Sequence, residues 1–175
     1  MRTLKKVLNF SIYLFVVLII TLLVVKFVGQ RSEVIGSSME PTFSDGDNLL
    51  LDKISYRFQE PKRFDVIVFP YAYEKNTNYI KRIIGLPGET VFIDEAGQIF
   101  INDNLLTEHY GNAVINDPGL ADRKITLLDD EYFVLGDNRN DSIDSRFISV
   151  GNIKRKQIIG KPFIRIYPFS KFGKY

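Results

Sequence analysis

Cysteine is absent from this chain of 175 residues, and histidine occurs once. The first absence removes disulfides, cysteine-type zinc sites and every thiol nucleophile, including the cysteine-dependent transpeptidases of bacterial surfaces. It is compatible with an oxidising compartment without requiring one. With one histidine and no thiols, no donor set for a transition-metal site is at hand, so neither metal nor cofactor is expected. Acidic residues are missing before residue 28, where Arg2, Lys5, Lys6 and Lys26 stand unopposed. The formal charge of +2 therefore conceals a segregation: with those four set aside, 19 basic residues face 21 acidic ones. That balance leaves no footprint for nucleic acid. Internal repeats and low-complexity segments are missing too, as is any long amphipathic helix after residue 30.

What is present first is an apolar run. Val7–Val25 is 19 residues without a charge, and at ~1.5 Å per residue such a helix spans roughly the ~30 Å hydrocarbon core of a bilayer. Asn9, Ser11 and Thr21 are small polar groups that bond within a helix. Arg2, Lys5 and Lys6 on the near side favour a cytoplasmic N-terminus; Lys26 and Arg31 on the far side weaken that bias without cancelling it. A cleaved secretory signal has a shorter apolar region, about 7–15 residues, and small residues at its cleavage site. Here Lys26-Phe27-Val28-Gly29-Gln30-Arg31 follows, so an uncleaved anchor is expected. The division expected is a cytoplasmic segment 1–6, a transmembrane anchor 7–27 and an extracytoplasmic domain 28–175.

The remainder reads as short apolar runs punctuated by Gly, Pro, Asp and Asn. Asp45-Gly46-Asp47 is a turn before a strand over Asn48–Asp52. Phe64–Phe69 is a strand stopped by Pro70, and Asn78–Ile84 is another, closed by Leu86-Pro87-Gly88. Thr90–Asp94 and Gln98–Ile101 form a hairpin around Glu95-Ala96-Gly97. Tyr132–Leu135 and Ile159–Tyr167 complete the set, with a loop over Gly111–Asp122. The domain is expected to be mostly β, a coiled sheet or partly open barrel.

Three segments bear chemistry. The stretch Val34 to Phe43 puts Ser38 in a short polar turn between apolar extended residues and Pro41, exposed without being mobile, as a nucleophile must be. Its base is not obviously histidine: His109 lies in the polar stretch Thr107–Gly111 and reads as a solvated loop residue, which leaves a Ser-His-Asp triad without a centre. Lysine is the other base able to activate a serine, provided burial in an apolar pocket lowers its pKa by several units. Lys81 fits, because the period of two puts Tyr79, Lys81 and Ile83 on one strand face, with Ile80, Arg82 and Ile84 on the other. In the third segment, Gly136–Arg146, an extended course over Ser142–Arg146 would put Ser142, Asp144 and Arg146 on one side. Asp144 would then pair with Arg146, and Ser142 would offer a hydroxyl to orient the lysine amine.

Together these pieces resemble the type I signal peptidase family. The matching boxes are Gly-Ser-Ser-Met-Glu-Pro-Thr-Phe at 36–43, Gly-Asp-Asn-Leu-Leu-Leu at 46–51, Asp-Val-Ile-Val-Phe at 65–69, Tyr-Ile-Lys-Arg-Ile-Ile-Gly-Leu-Pro-Gly-Glu at 79–89 and Gly-Asp-Asn-Arg-Asn-Asp-Ser-Ile-Asp-Ser-Arg at 136–146. The resemblance implies Ser38 as nucleophile, Lys81 as general base, Ser142 as the residue positioning the lysine, and Asp144 with Arg146 as a supporting ion pair. It also implies the coiled β-sheet fold shared with self-cleaving Ser/Lys repressors. Two departures stand out. Position 36 is Gly, where some members carry a hydroxyl that helps hold the oxyanion, so the backbone amide of Ser38 must do most of that work. Asn140-Asp141 reverses the commoner order. The short spacer between the lysine and last boxes, and the single anchor, match the compact form typical of Gram-positive bacteria.

The expected substrate is the signal peptide of an exported preprotein, docked by β-augmentation along Val34–Gly36 and cut after small residues at −1 and −3. Val34, Ile35, Gly36, Met39, Phe43, Tyr79 and Ile80 are the candidate lining, by family analogy. The other expected partner is the lipid bilayer, with Phe163 and Phe169 as candidate contacts. Nucleic acid is not expected. The rival is a membrane-anchored relative without activity that assists surface-fibre assembly, which a Ser38→Ala variant of undiminished function would favour.

Overall fold

The computed structural model describes residues 2–27, 29–74 and 77–174; the side chains of 2–4 and 22–29 lie outside that description. It opens with a helix, α1, over Arg2–Phe27. No Gly or Pro interrupts this segment. Thr21 spends its hydroxyl inside the helix, donating to the Val17 carbonyl at 2.9 Å. Val7, Leu8, Phe10 and every large apolar side chain from Ile12 to Ile20 are exposed. Among the described residues, no helix is long and apolar enough to cross a membrane. The expected span over 7–27 counts the side chains of 22–27, which lie outside the described set, as does Val28.

The rest is mostly β. Eleven strands are described: β1 (Gly29–Glu33), β2 (Asn48–Asp52), β3 (Val66–Pro70), β4 (Asn78–Gly85), β5 (Thr90–Ile93), β6 (Ile99–Ile101), β7 (Asn104–Leu105), β8 (Ile125–Thr126), β9 (Glu131–Leu135), β10 (Ile153–Lys154) and β11 (Lys161–Tyr167). They form three sheets in the orders β1-β2-β11, β10-β9-β4-β3 and β7-β6-β5-β8. All pairings are antiparallel. An isolated bridge between Val68 and Gly160 ties β3 to the approach of β11, joining the first two sheets.

The turns expected from the sequence form by local hydrogen bonding. At the 94–98 hairpin, Asp94 takes the Gly97 amide on its carbonyl and the Gln98 amide on its side chain. Two strands start a single residue away from expectation, at Ile99 and Glu131, and two start two residues late. The run expected from Phe64 begins at Val66, because Phe64 sits at φ +72, a bend no strand residue adopts. The run expected from Ile159 begins at Lys161, because Ile159 and Gly160 hydrogen-bond across to Val68. The strands β1, β7, β8 and β10 had no apolar run to announce them.

Three clusters make the core. One gathers Ile84, Val91, Ile93, Ile99, Leu127 and Phe133 under the third sheet. Another places Tyr56, Ile67, Phe69, Ile83, Tyr132 and Val134 behind β3, β4 and β9. Between β2, β3 and the turn at 36–43 lies the cluster of Val34, Met39, Phe43, Leu49, Leu51, Val66 and Val68.

Candidate active site

That last cluster holds the serine turn in place. The Val34 amide donates to Asp47 and the Gly46 amide donates back to Val34, closing the base of the loop at 2.8 and 2.9 Å. Gly36 takes φ +87, a region that favours glycine, and its amide donates to Asp45 Oδ1 at 2.7 Å. Met39 and Phe43 are both 0% exposed and act as two pegs of the turn. Ser38, just before the first peg, is half-buried with its hydroxyl facing β4.

Lys81 comes from β4, opposite Ile67 on β3. It is 3% exposed. Its Nζ lies 2.7 Å from Ser38 Oγ and 3.1 Å from the Ile80 carbonyl, and 5.0 Å from the centroid of the Tyr79 ring. The alternation expected along this strand is present: Tyr79 and Ile83 pack in one cluster, while Ile80 and Ile84 pack in the other two. Burial pushes the lysine pKa down from 10.5 to about 8, with Asp144 and then Asp137 pulling weakly the other way. Roughly a tenth of the amine is then unprotonated at pH 7.

The two carboxylates near Lys81 are occupied elsewhere, which is why they do not recharge it. Asp144, 0% exposed, is gripped in a fork by Arg146 at 2.8 and 2.9 Å. It also accepts the Ser142 hydroxyl at 2.8 Å and the Gly136 amide at 3.0 Å. Ser142, Asp144 and Arg146 thus converge, through a turn-rich loop and not an extended strand. The Ser142 hydroxyl, expected to orient the amine, donates its hydrogen to Asp144, which leaves its oxygen as an acceptor. Asp137, also 0% exposed, takes a second fork from Arg82 at 2.8 and 2.6 Å and the Thr42 hydroxyl at 2.5 Å. Arg82 in turn lies 3.8 Å from the Tyr110 ring centroid.

Arg82, Asp137 and Thr42 lie inside the quoted boxes but carried no assigned role. One signal for them was legible: an arginine among the isoleucines of β4 must find a carboxylate when buried. Gly136 was missed as well. A Cβ there would stand 2.2 Å from Ser142 Oγ and 2.5 Å from the Ser38 carbonyl oxygen, so only glycine lets the two loops meet. Asn138 secures the junction, its amide donating to the Ser38 carbonyl at 3.1 Å.

The residues expected to meet substrate fall in two groups. Ile35 and Gly36 are exposed, and Tyr79 and Ile80 are half-buried. Val34, Met39 and Phe43 are buried in the second cluster, beneath any chain laid along the loop. His109 is exposed in its loop. Among the described residues, no group of three or more His, Asp or Glu side chains is gathered to hold a metal.

A serine hydroxyl in contact with an amine that burial leaves partly unprotonated is the equipment of a serine hydrolase that works without histidine. Comparison with known proteins narrows the class. The family described as signal peptidase, peptidase S26, matches residues 7–167, and the chain belongs to it. It is a serine peptidase of the type I signal peptidase kind. A probable signal peptidase I-2 of Synechocystis is 38% identical over 84% of this chain and 67% of its own length. Signal peptidase IB of Staphylococcus aureus is 32% identical over 96% of this chain and 93% of its own. The crystal structure of a signal peptidase I from Enterococcus faecalis, 32% identical, aligns with a TM-score of 0.46 over 59% of this chain and 97% of that one.

Proposed function

We propose that this protein removes signal peptides from exported preproteins, cutting after small residues at −1 and −3 with Ser38 as nucleophile and Lys81 as general base. The observation that carries it is the 2.7 Å contact between Lys81 Nζ and Ser38 Oγ, made by an amine whose pKa burial brings to about 8. The unprotonated amine takes the hydroxyl proton as Ser38 Oγ bonds to the scissile carbonyl carbon. The oxygen gains the charge, and the backbone amide of Ser38 donates to it. As the C–N bond breaks, Lys81 returns the proton to the leaving amine of the mature protein. Water, deprotonated by the same lysine, then releases the signal peptide from the acyl-enzyme.

In this scheme Asp144 and Arg146 support the site as a pair, and Ser142, held by its bond to Asp144, positions Lys81. The substrate lies extended against Ile35 and Gly36, while Tyr79 and Ile80 line the pockets for the small side chains and Val34, Met39 and Phe43 support the loop from beneath, by family analogy.

The same proposal makes residues 7–27 a transmembrane anchor, 1–6 cytoplasmic and 28–175 an extracytoplasmic domain. It draws on the uncharged run Val7–Val25 and on the exposed apolar surface of α1. Phe163, Tyr167, Phe169 and Phe172, all exposed, would rest on the lipid beside it.

The test is incubation of the purified protein with a preprotein bearing Ala-x-Ala before the cut. Wild type is expected to release the mature protein, and Ser38→Ala and Lys81→Ala to release none above background. Cleavage by either variant at the wild-type rate contradicts the assignment.

A further inference from the structure

Beside the proposed nucleophile stands a pair that the chemistry above does not use. Ser37 Oγ donates to Asp141 Oδ2 at 2.5 Å, joining two loops 104 residues apart in sequence. Asp141 is exposed but its backbone is fastened. Its amide donates to the Asn138 carbonyl at 3.1 Å. Its neighbour Asn140 is stitched to the adjoining loop through the Val114 carbonyl and the Asn116 amide, both at 2.9 Å. Asp141 therefore presents its acceptor from a fastened stretch of backbone.

What it grips is the residue whose carbonyl shares a plane with the Ser38 amide. A trans peptide is rigid and its N–H points opposite to its C=O, so whatever aims the Ser37 carbonyl aims the Ser38 N–H. That carbonyl accepts the Glu40 amide at 3.0 Å and Asn138 Nδ2 at 3.3 Å. Those two bonds set the plane from the carbonyl side, and the hydroxyl bond to Asp141 holds Ser37 from its side chain. Gly36 has no side chain with which to share the oxyanion, so the direction of this one N–H matters more.

We propose that Asp141 is a positioning residue, acting through Ser37 to keep the Ser38 amide aimed at the oxyanion of the reacting carbonyl. The proposal rests on Ser38 as nucleophile. It also accounts for the reversed order Asn140-Asp141: position 141 faces Ser37, while position 140 faces the 114–116 loop.

The experiment is steady-state cleavage of the Ala-x-Ala preprotein by the full chain in detergent. Ser37→Ala, Asp141→Ala, Asp141→Asn and the double variant Ser37→Ala/Asp141→Ala are compared, with Ser38→Ala as control. Losing an oxyanion donor outright costs about 10²–10³-fold in kcat; a donor merely released from its aim should cost about tenfold. Ser37→Ala and Asp141→Ala are expected to lower kcat by that factor with KM within about twofold of wild type. The double variant should be no slower than the slower single, because both remove one bond. Asp141→Asn should recover most of kcat, since its amide oxygen accepts the same hydroxyl. Wild-type kcat in Ser37→Ala, a loss confined to KM, or single effects that multiply would each overturn the proposal. If Asp141→Ala melts below the assay temperature, Ser37→Ala, which deletes only a hydroxyl, decides alone. Cleavage by Ser38→Ala would instead overturn the underlying assignment of the nucleophile, so the two failures are distinguishable.

Discussion

At the scale of the residue, Lys81 bears two opposed consequences of burial. Desolvation lowers its pKa to about 8, which suits the amine to the base role proposed above. Cleavage under kcat/KM conditions is expected to rise about tenfold per pH unit from 6 towards 8 and then level off. A flat profile over that range, with the fold intact, would contradict the lysine as base. The same shift acts against stability. Between about 8 and 10.5 the unfolded chain holds a proton that the folded one has lost, so stability climbs with pH across that window. Below 8 the whole cost, about 3 kcal/mol, is present. Lys81→Met is thus expected to be inactive yet roughly 1–3 kcal/mol more stable at pH 7, the gain shrinking as pH approaches 10. Urea titrations at pH 7 and 10 check the sign.

At the scale of the element, β4 is the organising strand, because two neighbouring positions on it both hold the serine turn. Lys81 meets the serine turn at Ser38, and Arg82 meets it at Thr42 while gripping Asp137. Arg82 and Asp137 are 3% and 0% exposed, so breaking the pair strands a charge in a dry interior. Arg82→Ala is expected to cost about 3–5 kcal/mol, measured as a shift in the denaturation midpoint. The pair Arg123–Asp122, with side chains 80% and 58% exposed, should be insensitive to the same change. Gly136 joins two elements in another way: its missing Cβ is the gap through which the serine turn and the 136–146 loop touch. Gly136→Ala must push the Ser38 carbonyl aside, and a displacement near 1 Å costs about 100-fold in rate. That loss should appear in kcat with the secondary structure, read by circular dichroism, unchanged.

At the scale of the whole molecule, the helix and the β domain dispose of their apolar surface differently. The α1 side chains from Val7 to Ile20 present apolar surface outward, whereas the β domain buries three clusters of its own. A chain beginning at Gln30 should keep a single cooperative unfolding transition and stay dispersed without detergent. The full chain should partition into vesicles. Loss of cooperative unfolding in the shortened chain would mean that the helix is part of the core.

Local patterns were legible because they are written in neighbouring residues. The uncharged run, the alternation along residues 78–84, the turn around Gly97 and the boxes carrying Ser38 and Lys81 all declare themselves within ten residues or so. The β strands of two residues, the burial of Met39 and Phe43 under the loop, and the partners of Asp137 and Asp141 did not. Asp137 meets Arg82 across 55 residues and Asp141 meets Ser37 across 104, and composition could not say which acid would find which base or hydroxyl. Residue type and spacing determined which groups were capable of the chemistry. Only the antiparallel packing of β4 beside β3 and β9 decided that the amine would be dry, its carboxylate neighbours already engaged, and a serine hydroxyl within reach, since desolvation and pairing belong to surroundings assembled from distant parts of the chain.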